Sequence, residues 1–75
     1  MKVTLKLIGG IAHKAGFSRR ELDVEEGATI ADVLDATAID RTWPMIIARN
    51  GWAVDPDERL EPGDSILLAP VFSGG

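Results

Sequence analysis

Cysteine is absent from this 75-residue sequence, which removes disulfides, thiolate metal sites and any thiol nucleophile of the chain's own. Sulfur chemistry would therefore need sulfur from outside. Histidine occurs once, as His13 in a glycine-rich stretch, so no second imidazole or thiol is present to complete a metal site or a catalytic dyad with it. Long apolar runs are missing as well. Nothing approaches the roughly 20 residues of a membrane-spanning helix, and the N-terminus has no apolar stretch of signal-peptide length. These absences point to the cytoplasm and away from a membrane partner. Basic blocks are lacking beyond Arg19-Arg20, and 8 basic against 12 acidic residues give a net charge of −4. Nucleic-acid binding needs a basic patch or stripe, so DNA and RNA are excluded as partners. An acidic surface suits a basic protein partner, and it also serves solubility alone.

Two further patterns fail on spacing. Gly9, Gly10 and Gly16 are followed by no Gly-Lys-Ser/Thr, so they read as turn punctuation and not as a phosphate cradle. Asp55, Asp57, Glu58, Glu61 and Asp64 lack the alternation of a calcium loop and read as a solvated face. No metal site, no bound cofactor and no self-contained catalytic apparatus is expected.

What is present is an ordinary globular composition, 45% apolar and 27% charged, enough for one small domain. Lys2 to Leu7 alternates with period two and predicts a strand with Val3, Leu5 and Leu7 inward. Gly9-Gly10 breaks it, a long connection with some local structure follows, and Glu21 to Val24 pairs back. Thr29 is placed to cap a helix with Asp32 three residues on. Ile30, Val33, Leu34 and Ala38 then form its apolar stripe, with Asp32 and Asp35 facing water. Met45 to Arg49 predicts a third strand, Asn50-Gly51 a type I′ turn, and Trp52 to Val54 a short return. After the Pro62-Gly63-Asp64 turn, Ser65 to Ala69 is the last strand. The element order is ββαβ(β)β, an α+β arrangement, with Leu5, Leu22, Val33, Leu34, Ile66 and Leu68 expected in the core.

The sequence ends in Ser73-Gly74-Gly75. Two glycines without Cβ atoms can thread a narrow channel and adopt backbone angles closed to other residues. Residues 1–70 are expected to be the domain and 71–75 a flexible tail that reaches about 17 Å at full extension. Pro70, which cannot donate to a ladder, should end the pairing. The terminal carboxylate of Gly75, approached through Gly74, is the expected reactive group.

Over nearly its whole length the chain resembles the MoaD/ThiS family of ubiquitin-like sulfur carriers. The matching residues are Leu60, Pro62-Gly63-Asp64, Ile66 to Leu68, Ala69-Pro70-Val71 and Gly74-Gly75. Asn50-Gly51 after a buried strand and Glu26 to Ile30 opening the Val33-Leu34 helix add to them. The length and the Ala-Pro-Val-x-x-Gly-Gly ending look most like the small subunit of molybdopterin synthase. The resemblance implies a β-grasp fold, a mixed sheet of four to five strands packed on one main helix. It implies a protein co-substrate and not an enzyme. A ubiquitin-activating-like adenylyltransferase would use Mg-ATP to adenylate Gly75, a persulfide donor would convert it to a thiocarboxylate, and a large synthase subunit or other acceptor would take the sulfur. A thiamin-type carrier and a ubiquitin-like modifier joined through Gly75 to lysines are the alternatives, and a purely regulatory β-grasp module is a third.

A docking surface is expected on the sheet face opposite the helix. Period two sends Ser65, Leu67, Ala69 and Val71 outward. If Arg49 faces water in the third strand, Ile47 comes out with it. The partner face so defined is Ile47, Leu67, Ala69, Val71 and Phe72, rimmed by Arg49.

Overall fold

A computed structural model describes residues 1–71. In chain order the elements are β1 (Lys2–Leu7), α1 (Gly9–Ala15), β2 (Arg19–Asp23), α2 (Ile30–Ala36), β3 (Met45–Arg49), β4 (Trp52–Ala53) and β5 (Ser65–Pro70). They build a single five-stranded sheet in the order β2-β1-β5-β3-β4. β1 and β5 run parallel at its centre, while β1 with β2, β5 with β3 and β3 with β4 are antiparallel.

The alternation read in β1 holds: Val3, Leu5 and Leu7 are buried between exposed or half-buried neighbours. Ile66 and Leu68 of β5, Ile47 of β3, Ile11 of α1 and Ile30, Val33 and Leu34 of α2 join them in one apolar cluster, closed by Ile39 and Leu60. Leu22, expected inside, is only half-buried, because β2 is an edge strand with cover on one flank.

The connection after β1 is more ordered than the sequence led us to expect. Gly9-Gly10 ends the strand, but the chain then winds into α1, which buries Ile11 and packs Ala12 and Ala15 against the core. Two glycines disfavour helix locally. Tertiary burial of that short stripe outweighs propensity. Gly16, at φ 85°, stops the helix and donates its amide to the Ala12 carbonyl.

α2 begins as its sequence dictates. The Thr29 hydroxyl accepts from the Asp32 amide at 3.2 Å, and the Thr29 amide donates to the Asp32 carboxylate at 2.9 Å, a reciprocal capping box. The next free amides, those of Ile30 and Ala31, donate to the carbonyls of Glu58 and Pro56, so the loop before β5 completes the cap. The far end corrects the expected stripe. The helix stops at Ala36, and Ala38 is exposed at φ 60° instead of facing the core. Its amide donates to the Asp35 carbonyl and that of Ile39 to the Leu34 carbonyl, the paired bonds of a Schellman ending. The reversal delivers Ile39 into the core position assigned to Ala38.

Two outcomes follow for stability. Leu34→Ala removes a fully buried side chain and should lower the unfolding free energy by about 2–5 kcal/mol, measured by denaturant titration. Ala38→Gly relieves a left-handed residue that carries a Cβ and should raise it, by about 0.5–1 kcal/mol.

Candidate functional site

The last strand carries the candidate site, and its start is fixed by a polar clasp. Asp64, at the end of the turn before β5, is buried. One carboxylate oxygen accepts from Arg49 Nε at 2.8 Å and from the Glu61 amide at 2.7 Å, and the other accepts from Asn50 Nδ2 at 2.9 Å. Asn50 is used at both ends, since its side-chain oxygen accepts from the Ser65 amide at 2.9 Å. Arg49 also reaches Glu58 at 3.2 Å. Asn50 at φ 51° and Gly51 at φ 89° form the expected type I′ geometry, so the hairpin turn and the clasp share a residue. Burial pushes the Asp64 carboxyl upward, but the Glu61 amide, the Asn50 amide and the Arg49 guanidinium together hold it below the ordinary carboxylate value.

From this clasp β5 runs between β1 and β3, with Leu67 and Ala69 on the face away from α2, and Val71 follows its last residue. Leu67 and Ala69 are half-buried and Val71 is 52% exposed. The expected outward set in β5 is therefore present. In β3 the register differs by one residue from that expectation. Ile47 lies opposite Leu68, and Arg49 opposite Ile66, so both lie on the helix-facing side. Ile47 is only 8% exposed and belongs to the core. Arg49 did not have to face bulk water, because Asp64 and Glu58 neutralise it at the rim of that side. Neither residue is on the open face.

Ile46 and Ala48 replace them there. Ile46 pairs with Ala69 and is 48% exposed, and Ala48 pairs with Leu67. Across β1, Leu67 neighbours Lys6, which in turn lies opposite Arg19. Ile8, just past β1, is 49% exposed. The open face is thus an apolar strip beside the end of β5 with a basic rim at Lys6 and Arg19 in place of the expected Arg49. Sequence reasoning missed Ile46, Ile8 and Lys6. The available signal was the Asn50 and Asp64 pair of turn residues, which gives Arg49 a buried partner and so reverses the parity of β3.

His13 is exposed in the last turn of α1. Among the described residues no group of three or more His, Asp or Glu side chains is placed to hold a metal ion. Of the expected acidic surface cluster, Glu58 and Asp64 are engaged by Arg49 and Asp64 is not solvated. No helix is long and apolar enough to cross a membrane, among the described residues. The expected site residues Phe72, Gly74 and Gly75 lie outside the described residues.

The sequence matches the model of the ThiS family over residues 5–75, the diglycine included. This chain belongs to that family. Solved structures agree with it. SAMP1 from Haloferax volcanii superposes with a TM-score of 0.84 at 29% identity, covering 100% of both chains. A Pyrococcus furiosus protein assigned as subunit 1 of molybdopterin converting factor gives 0.79 at 25% identity over 93% of this chain and 97% of its own. Subunit 1 of the Helicobacter pylori molybdopterin-converting factor, solved together with subunit 2, shares the fold at 20% identity and a TM-score of 0.71, with 100% of both chains covered. No curated protein sequence matches the chain. The ThiS-family protein is accordingly a ubiquitin-like β-grasp domain of the MoaD/ThiS type, the fold used by small protein carriers and by ubiquitin-like modifiers. Its five-stranded sheet fits the expected mixed sheet, with α1 as a second helix beside α2.

The clasp makes a pH prediction. A carboxyl held below its ordinary value when folded adds stability that is complete above the unfolded pKa and is lost as pH falls through the folded one. Wild-type stability should therefore decline below about pH 4. Asp64→Asn should lower the unfolding free energy near pH 7 by about 1–3 kcal/mol and flatten this acid limb, as read from thermal melts over a pH series.

Proposed function

We propose that this protein is a sulfur carrier whose Gly75 carboxylate is activated by a partner adenylyltransferase and converted to a thiocarboxylate. The observation that carries the reading is the ThiS-family match, which runs through the diglycine. A carboxylate resists nucleophiles, so activation comes first. The Gly75 oxygen attacks the α-phosphorus of Mg-ATP in the partner's site, pyrophosphate leaves, and an acyl-adenylate forms. The terminal sulfur of a persulfide donor attacks the acyl carbon and AMP departs. A thiol then cleaves the acyl disulfide, leaving a C-terminal thiocarboxylate that is a softer nucleophile than the carboxylate it replaced. Transfer of that sulfur to an acceptor and hydrolysis regenerate Gly75. The body needs no cofactor, metal or nucleophile for this sequence. It supplies a rigid docking surface and the chain that enters the partner. The cytoplasm is the proposed compartment.

Molybdopterin synthesis is the preferred destination of the sulfur, supported by the Pyrococcus furiosus relative. In that role the chain is the small subunit of a synthase complex, and the Helicobacter pylori protein, solved with its subunit 2, supplies the analogy for a large-subunit partner. A thiamin-type carrier differs only in the acceptor. The second reading is a modifier joined through Gly75 to lysines, favoured by the match to the Haloferax volcanii small archaeal modifier protein 1 at 26% identity. The same acyl-adenylate serves it, with an amine as acceptor. In either case the docking face is Ile46, Ala48, Leu67, Ala69 and Val71, rimmed by Lys6.

Incubation with the cognate activating enzyme, sulfur donor and ATP should raise the intact mass by the difference between one sulfur and one oxygen. A ladder of high-mass conjugates would instead establish the modifier, and no change would overturn both. Deleting Gly75 should abolish ATP–pyrophosphate exchange while leaving the melting temperature within error, since the described core ends before it. Leu67→Glu should leave folding intact and weaken binding to the activating enzyme at least tenfold, about 1.4 kcal/mol, by titration calorimetry.

A further inference from the structure

Among the glycines with positive φ in the described residues, Gly9 is distinct. At Gly16, Gly27, Gly51 and Gly63 an added Cβ would meet open space, so those glycines serve the backbone angle alone. At Gly9, φ is 61° and a Cβ would lie 3.1 Å from Pro70 Cγ and 3.4 Å from Pro70 Cδ. Pro70 is the last residue of β5 and the root of the terminal segment. Its ring therefore rests where Gly9 offers a hydrogen in place of a Cβ.

The surface that Gly9 presents is itself held firmly. The Ile8 amide donates to the Leu68 carbonyl at 3.1 Å, and the Leu7 amide to the Ser18 carbonyl at 2.8 Å. Two residues past Gly9, Ile11 is buried in the core. On its other flank Pro70 lies opposite Met45 of β3. With φ fixed by its ring, Gly9 on one flank and Met45 on the other, Pro70 is confined where β5 gives way to Val71. Val71, 52% exposed, follows directly on this anchored residue.

We propose that Gly9 is a positioning residue for the C-terminal segment: by admitting the Pro70 ring it fixes the angle at which the tail leaves the docked body. This rests on the reading that Gly75 is activated by a docked partner. The physical case is that a reacting carboxylate must arrive in a near-attack geometry, where a displacement of about 1 Å costs on the order of a hundredfold in rate. A Cβ at 3.1 Å forces Pro70 away by a few tenths of an ångström. Docking through the open face sets KM, whereas the placement of the tail sets kcat.

The test is a double-mutant cycle between Gly9→Ala and Pro70→Ala, with Gly10→Ala as control, since a Cβ at Gly10 touches nothing within 4 Å. ATP–pyrophosphate exchange with the cognate activating enzyme is measured for each variant, alongside thermal melts. Gly9→Ala should lower kcat about fivefold with KM nearly unchanged. In the Pro70→Ala background the same substitution should have little effect on kcat, although the cost of an Ala at positive φ appears in both melts. Equal losses of kcat in the two backgrounds, or a loss in KM alone, would overturn the proposal. Absence of exchange by the wild-type chain would overturn the functional reading instead. The positional claim is then decided on the free protein. The Val71 amide resonance should shift in Gly9→Ala and not between Pro70→Ala and the double variant, and an unmoved Val71 rejects it.

Discussion

The constraint on which everything else depends is the confinement of β5 between β1 and β3. It is the central strand of the sheet, parallel to β1 on one side and antiparallel to β3 on the other. Its inward residues Ile66 and Leu68 are fully buried, and its outward residues form the centre of the open face. Registry along it cannot slip by one without exchanging those two sets. The Asp64 clasp fixes where the strand begins, and Gly9 meets it where the strand ends. Between these points the sheet is a rigid guide that carries chain from the core to the tail root.

The clasp shows how a domain this small affords a buried charge. A carboxylate taken from water costs several kcal/mol unless its lone pairs are filled. Asp64 receives a backbone amide, a side-chain amide and a guanidinium. Each donor belongs to a segment that must be brought together anyway: the turn before β5, the β3–β4 turn and β3 itself. The ion pair thus specifies register as well as contributing to stability, and it frees the open face of β3 for apolar residues by drawing Arg49 to the other side.

The two faces of the sheet differ in their charged neighbours. The helix side carries Asp32 and Asp35 on α2 and the acidic loop around Glu58. The open face carries an apolar strip with Lys6, Arg19 and the Glu21 that pairs with Arg19 at its β1–β2 side. Such a surface, apolar at the centre with a polar rim, has the anatomy of a protein interface. On the proposed reading, a partner bound to this strip would lie next to Val71, where the described chain ends.

Local rules made much of this legible in advance. The period of β1, the Thr29–Asp32 cap and the Asn50-Gly51 turn depend on interactions within a few residues, and the structure reproduces them; the ββαβ(β)β order holds for the strands and α2 but lacks α1. The resemblance through the last strand and the diglycine fixed the family for the same reason, since those motifs are contiguous. What the sequence could not settle was every choice made by distant partners. A paired Ile46-Ile47 is inward or outward with equal local merit, and only the Leu68 register and the Asp64 carboxylate, which reaches Arg49 from fifteen positions away, decided it. α1 forms against the propensity of Gly9-Gly10 because Ile11 finds the core, and Ala38 yields its place to Ile39 because the helix ends two residues earlier. The sequence determined its elements and its terminal motif, where the deciding energies are local. The tertiary structure alone decided which side chains share a face, because side-chain parity in a sheet is set by the strand across from it.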